Sequence, residues 1–201
     1  MSSNEKIINE FIKFHESCFI KPLKTIRAGF GNKGVDTNIY ICGLLVCCGI
    51  DTLCGYYYGE KTGRKKFTNF IEKEIYKDKV DELTSLIDVN DVQKVVASDT
   101  FKEITRGRSS LKYISISSLL YSQFRCGLVH SFSFNGQAGF YINYDSPQKE
   151  KFKFDKKRGL IIDFTYFYDG YIKYWKIFIK KLKSEKSVKE AFINRYKTLK
   201  P

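Results

Sequence analysis

The sequence predicts a mainly α-helical bundle with a small β-hairpin or meander inserted near residues 139–162. Three observations lead there. Apolar residues recur at helical spacing through most of the 201 residues, and strand-like alternation is confined to one stretch after His130. With only three prolines and no Pro- or Gly-rich linker, nothing divides the chain. One domain over 1–201 follows, with the segment from about 163 onward as a basic helical extension. Hydrophobic residues make up 43% of the chain, including 17 Phe and 14 Tyr, enough to fill a core and to exclude a disordered chain.

The first helix is read over Asn4–Ile26, where Ile7, Ile8, Phe11, Ile12, Phe14, Cys18 and Phe19 share one side. Pro22 kinks or restarts it, because proline has no N–H for the helical ladder. His15 lies beside this side, next to Glu16, and reads as a surface or partly packed histidine. "GFGNKGVDTN" is a connector. It has neither the G-K-[ST] ending nor the G-x-G-x-x-G spacing of a phosphate-binding loop. Asp36 or Thr37 then caps a second helix that runs to about Tyr58 and stops at Gly59. Its apolar run Ile39–Ile50 is 12 residues long, short of the about 20 a membrane span needs, so a core helix is expected. Asp51 ends that run, and a carboxylate there must find a partner or line a wet cleft.

Phe67, Phe70, Ile71 and Ile75 carry the third helical pattern. Lys79–Ile87 reads as a short helix and Val89–Thr105 as mixed. Ser109–Val129 is long and periodic through Leu111, Ile114, Ile116, Leu119, Leu120, Phe124 and Leu128, so a helix is expected, although β-branched "YISIS" leaves a strand open for its first part. "AGFYINYD", "KFKFD" and "LIIDF" alternate as strands, the last also able to open the next helix. The chain closes with two helical patterns, "TYFYDGYIKYWKIFIKKLK" and "SVKEAFINRYKTLK", the first burying Trp175, Phe178 and Ile179.

Charge is uneven. The net charge is +13, and residues 149–201 hold 16 Lys+Arg against 6 Asp+Glu, a surplus of ten. Such a segment attracts polyanions, nucleic acid being the commonest. Cysteines at 18, 42, 47, 48, 54 and 126 form no C-x-x-C pair, and Met1–Lys6 leads straight into an amphipathic pattern rather than a signal peptide. Reduced, buried thiols in a cytoplasmic protein are the expectation, without a membrane and without a structural zinc. With two histidines, His15 and His130, a triad has few possible bases. No G-x-S-x-G elbow and no D-x-D run points to a serine hydrolase or a two-metal site. A chemistry without metal or cofactor is the economical expectation.

One pair remains. In "FRCGLVH" Arg125 and His130 sit five residues apart within an apolar stretch. In a regular helix five steps place two side chains roughly 140° apart, so they would not share a face. Either the helix breaks, with Gly127 the natural place, or a second chain brings such groups together across a two-fold axis. An arginine followed four to six residues later by a histidine at the end of an apolar helix resembles the signature of the HEPN superfamily, small α-helical bundles that include many metal-independent endoribonucleases of toxin–antitoxin, abortive-infection and CRISPR-linked systems. The motif covers residues 125–130. The preceding apolar helix "LLVCCGIDTLCGYYYG" and the chain length agree with it, while Cys126 stands where active members commonly carry a polar residue. The resemblance implies catalytic Arg125 and His130, no metal and no cofactor; Asp51, Cys126 and Ser131 are the further residues expected to line the site. It also implies an RNA substrate cut to a 2′,3′-cyclic phosphate end, a homodimer with both pairs in one cleft, and an antitoxin or defence-system partner protein.

The residues suit that chemistry. RNA supplies its own 2′-hydroxyl nucleophile, imidazole exchanges protons near neutrality, and guanidinium offsets charge growing on the phosphate. The alternative is a non-catalytic nucleic-acid- or protein-binding module, in which Arg125 holds phosphate and the basic C-terminal region and Tyr141, Tyr144, Tyr166 and Tyr168 make the contacts.

Overall fold

A computed structural model describes residues 3–29, 38–106, 110–126, 138–141 and 150–199. The fold is mainly α-helical with two small sheets. At its centre lies α3 (Asn38–Tyr58), which buries Cys42, Val46, Cys47, Ile50, Leu53 and Cys54. Its 21 residues are long and apolar enough to cross a membrane by composition, but most of that surface is covered by neighbouring helices, as a core helix requires. It ends where expected: Gly59 adopts φ +73°, the left-handed conformation that closes a helix without a Cβ penalty.

Around α3 pack α1 (Ser3–His15) and α2 (Lys21–Ala28) on one side. The two C-terminal helices, α9 (Phe164–Ser184) and α10 (Lys186–Leu199), complete the bundle. Between α1 and α2 the chain makes a π-helical turn, Glu16–Ile20, and Pro22 then sits in the first turn of α2. The helix does not restart at Pro22: His15, Ile20 and Lys21 all keep right-handed helical dihedrals, and the chain passes through the proline by way of the widened turn, in which the Lys21 N–H donates to the Glu16 carbonyl. On the other side lie α4 (Arg64–Phe70), which continues through a π-helical turn Ile71–Ile75, and α5 (Val80–Thr84), α6 (Val89–Val95), α7 (Ser98–Thr105) and α8 (Ile116–Leu119).

Two expectations need correction here. The segment Ser109–Val129 is not one helix over its described part. Tyr113–Ser115 forms β2, antiparallel to β1 (Leu86–Asp88), with Ile87 opposite Ile114. The Ser115 hydroxyl then caps α8 by accepting from the Ser118 N–H, and Leu120–Cys126 follows as a π-helical stretch. Cross-strand pairing of β-branched Ile114 overrode the helical period. The second sheet is not a meander. β3 (Ala138–Tyr141), β4 (Phe152–Asp155) and β5 (Gly159–Asp163) are ordered β3-β5-β4, with β4–β5 the expected hairpin and β3 parallel to β5. β5 takes the centre because its Leu160 and Ile162 are fully buried. Asp163 then N-caps α9, accepting from the Tyr166 N–H at 3.1 Å.

Aromatic rings carry the core. Phe11, Tyr56, Phe192 and Trp175 pack with ring centroids 4.6–6.1 Å apart, joining α1, α3, α9 and α10. Burying one such ring contributes roughly 1.5–3 kcal/mol. Gly49 lets α3 approach α9 closely, since a Cβ there would run into the Tyr171 hydroxyl.

Candidate functional site

Arg125 is placed by its neighbours. Leu119, Leu120 and Phe124 bury into the core, and Phe124 meets Phe140 of β3 edge-on at 5.0 Å. Phe140 in turn fills the space beside Gly43 of α3. That anchor brings the end of the π-helical stretch against α3, where Arg125 meets Asp51. The guanidinium donates twice, Nε to Oδ1 at 3.1 Å and Nη2 to Oδ2 at 3.0 Å. The fork matches the planar geometry of a carboxylate. The side chains are 13% and 25% exposed, so the pair is shielded yet reaches the surface. Burial acts to lower the pKa of Arg125, but the hydrogen bonds and charge of Asp51 outweigh it and the pKa is raised. Arg125 is a fixed cation at any accessible pH.

Tyr121, Arg64, Cys126, Glu103 and Arg106 complete the cluster. The Arg125 Cζ lies 5.4 Å from the centroid of the Tyr121 ring, and the Arg64 Cζ lies 5.8 Å from the same centroid. Arg64 donates to the carbonyls of Ile104 (2.8 Å) and Glu103 (2.9 Å), satisfying the open C-terminal end of α7. Arg106, at φ +52°, ends that helix. Burial, with the charge of Arg106 added, lowers the pKa of Arg64 against the opposing pull of Glu103. Cys126 lies between the two halves, with its Sγ 3.8 Å from Arg125 Nη1 and 3.9 Å from Glu103 Oε1. Burial, reinforced by Glu103, pushes its thiol pKa up against the opposing pull of Arg125. A thiol held protonated is a poor nucleophile, so Cys126 is a wall of the site rather than its reagent. A cleft of about 270 Å³ adjoins the cluster, lined by Arg64, Arg106, Leu111, Tyr113, Ser115 and Ser118 among others.

Of the residues expected at the site, Arg125, Asp51 and Cys126 come together. His130 and Ser131 lie outside the described residues, as do Gly127 and the expected caps Asp36 and Thr37. Tyr121 was within reach of sequence reading, one helical turn before Arg125. Arg64 and Glu103 carry no local signal. Among the described residues, no three His, Cys, Asp or Glu side chains converge as metal ligands would.

His15 needs a correction. It is fully buried, not at the surface: Nε2 lies 2.7 Å from the Tyr171 hydroxyl, and the ring stacks on Trp175 at 4.3 Å and on Phe19 at 4.7 Å. Burial lowers its pKa to about 3, so it is neutral. Sealed in this way it is a core group. No protein-family model, curated protein or solved structure matches the chain.

Proposed function

We propose that the protein is a metal-independent endoribonuclease of HEPN type, cutting RNA by attack of its own 2′-hydroxyl. The observation that carries this reading is the Asp51–Arg125 fork. It holds a permanent cation at the end of an apolar segment, five residues ahead of His130 in the sequence. In the proposed reaction, Arg125 faces the scissile phosphate and offsets charge that grows on its oxygens, while Asp51 orients the guanidinium. His130 moves the proton of the 2′-hydroxyl or of the leaving 5′-oxygen. RNA is the substrate, a homodimer is the working unit, and a toxin or antiviral-defence role in the cytoplasm, with an antitoxin or defence partner, is the setting.

The test uses the full chain, labelled single-stranded RNA and EDTA. Wild type is expected to give fragments ending in 2′,3′-cyclic phosphate. Arg125→Ala and His130→Ala are each expected to lose roughly 10²–10⁴-fold in rate. Cleavage equal in all three proteins rejects the reading. A second reading, the non-catalytic binding module, is favoured by the basic surplus of residues 149–201, 16 Lys+Arg against 6 Asp+Glu. Salt-dependent RNA binding without cleavage selects it.

A further inference from the structure

The outward face of α9 carries a row of four lysines, Lys173, Lys176, Lys180 and Lys183, all exposed. Their spacing of three, four and three residues keeps them on one side of the helix. Tyr171, Tyr174, Trp175, Phe178 and Leu182 occupy the other side, buried in the core. No acidic residue interrupts the sequence from Gly170 to Ser184. Among the described residues, none of the four lysines makes an ion pair. Their neighbour Lys181 points elsewhere and is held by Glu74 at 2.8 Å. Asp169 is exposed one turn before the row.

We infer that this row is a docking surface for the phosphate backbone of a nucleic acid, separate from the Arg125 site. The row spans ten residues, about 15 Å of helix. At about 3.4 Å per charge along one strand, that length faces about four phosphates, one for each lysine. Four like charges held along one helix repel one another, and a polyanion relieves that repulsion. An anionic membrane fits less well. A membrane-surface helix inserts an apolar face beside its lysines, whereas the apolar face of α9 is spent on the core and Ile177 is the one large apolar side chain of the helix left exposed among the lysines.

The separation follows from α3. Gly49 faces Tyr171 of α9, and Asp51, two residues on, is turned by about 200° toward Arg125. Both α3 and α9 therefore stand between the row and Arg125, and the two surfaces lie on opposite sides of the bundle, roughly two helix widths apart. This inference stands whether or not the chain cleaves RNA.

The test is fluorescence anisotropy with a labelled 2′-O-methyl RNA 20-mer, which lacks the nucleophile and stays intact, over a series of salt concentrations. Wild type is expected to bind with a steep salt dependence. A variant carrying Lys173→Gln, Lys176→Gln, Lys180→Gln and Lys183→Gln is expected to bind roughly tenfold or more weaker, with a log–log salt slope smaller by about 3. Arg125→Ala, which removes at most one phosphate contact, is expected to reduce the slope by less than 1. A charge-matched control, with Gln at the exposed Lys61, Lys65, Lys73 and Lys77, is expected to keep most of the affinity. An equal loss in that control overturns the assignment, because it shows diffuse attraction rather than a site. Unchanged affinity and slope in the row variant overturn it too. So does a row-dependent interaction seen only with phosphatidylserine vesicles or with poly-glutamate, which transfers the surface to a membrane or to an acidic protein.

Discussion

Around His15 the fold closes aromatic rings and one hydroxyl over an imidazole. Around Arg125 it gathers a guanidinium, a carboxylate, a phenol ring and a thiol, all only part-buried, and Arg64 of the same cluster lines a cleft. Both groups are polar and both lie in apolar helical segments. The difference lies in what burial does to charge. His15 has no carboxylate partner among the described residues, so desolvation decides and the ring is neutral. Arg125 cannot give up its proton and is matched by a forked carboxylate, so it stays charged. One histidine is thereby removed from chemistry. The arginine keeps its charge, matched by Asp51.

The largest expected effect breaks the sealed side. Tyr171→Ala removes a fully buried ring and the hydroxyl bonded to His15, at a cost of about 3–5 kcal/mol measured by urea unfolding. A smaller loss marks the ring as less central than its burial indicates. Next comes pH. The unfolded chain takes up a proton on His15 near 6.5 and the folded chain only near 3. Unfolding therefore binds a proton between those values. The stability is fully present above 6.5 and is lost as pH falls. Between pH 6.5 and 5 the His15 share of the decline is roughly 2 kcal/mol, at about 1.4 kcal/mol per pH unit. His15→Gln, which keeps a polar partner for Tyr171, is expected to flatten that slope, and an unaltered slope assigns the titration to another group.

The open side is expected to respond less in stability. Asp51→Asn leaves the partly buried guanidinium without a counter-charge and costs about 1–3 kcal/mol, below the range for fully buried pairs because both side chains keep some water. Arg125→Gln combined with Asp51→Asn is expected to recover part of that loss, and strict additivity of the two would show that the pair is uncoupled. Smallest of all is Cys126→Ala. With a protonated, half-buried thiol, the change is expected to be within about 0.5 kcal/mol in stability and to leave any RNA cleavage intact. Loss of cleavage in that variant makes the thiol a participant.

Much of the helical plan was legible because its cause is local. Periodic burial of Ile8 and Phe11, of Phe67 and Phe70, and of Tyr171, Trp175 and Phe178 repeats the side-chain spacing of a helix. The Gly59 stop, the irregular turn at Pro22 and the β4–β5 hairpin likewise rest on the conformational limits of single residues or short pairs. Residues 113–115 misled the helical reading because their strand exists only through Leu86–Asp88, some 27 residues earlier, and no local period encodes a distant partner. The parallel pairing of β3 with β5 was hidden for the same reason.

By itself the sequence determined the helical class, the apolar core helix, the basic C-terminal charge and the oddity of Arg125 within an apolar segment. The tertiary structure alone decided the partners: Asp51 for Arg125 across 74 residues, Tyr171 for His15 across 156, and Arg64 with Glu103 beside Tyr121. It also decided that the face of α9 opposite its lysines is the one that packs into the core, with Tyr171 against Gly49 of α3. Periodicity places a side chain on a face of its own element. Which group meets that face, and whether water reaches it, depends on how elements far apart in the chain pack, and charge in a protein is set by that meeting.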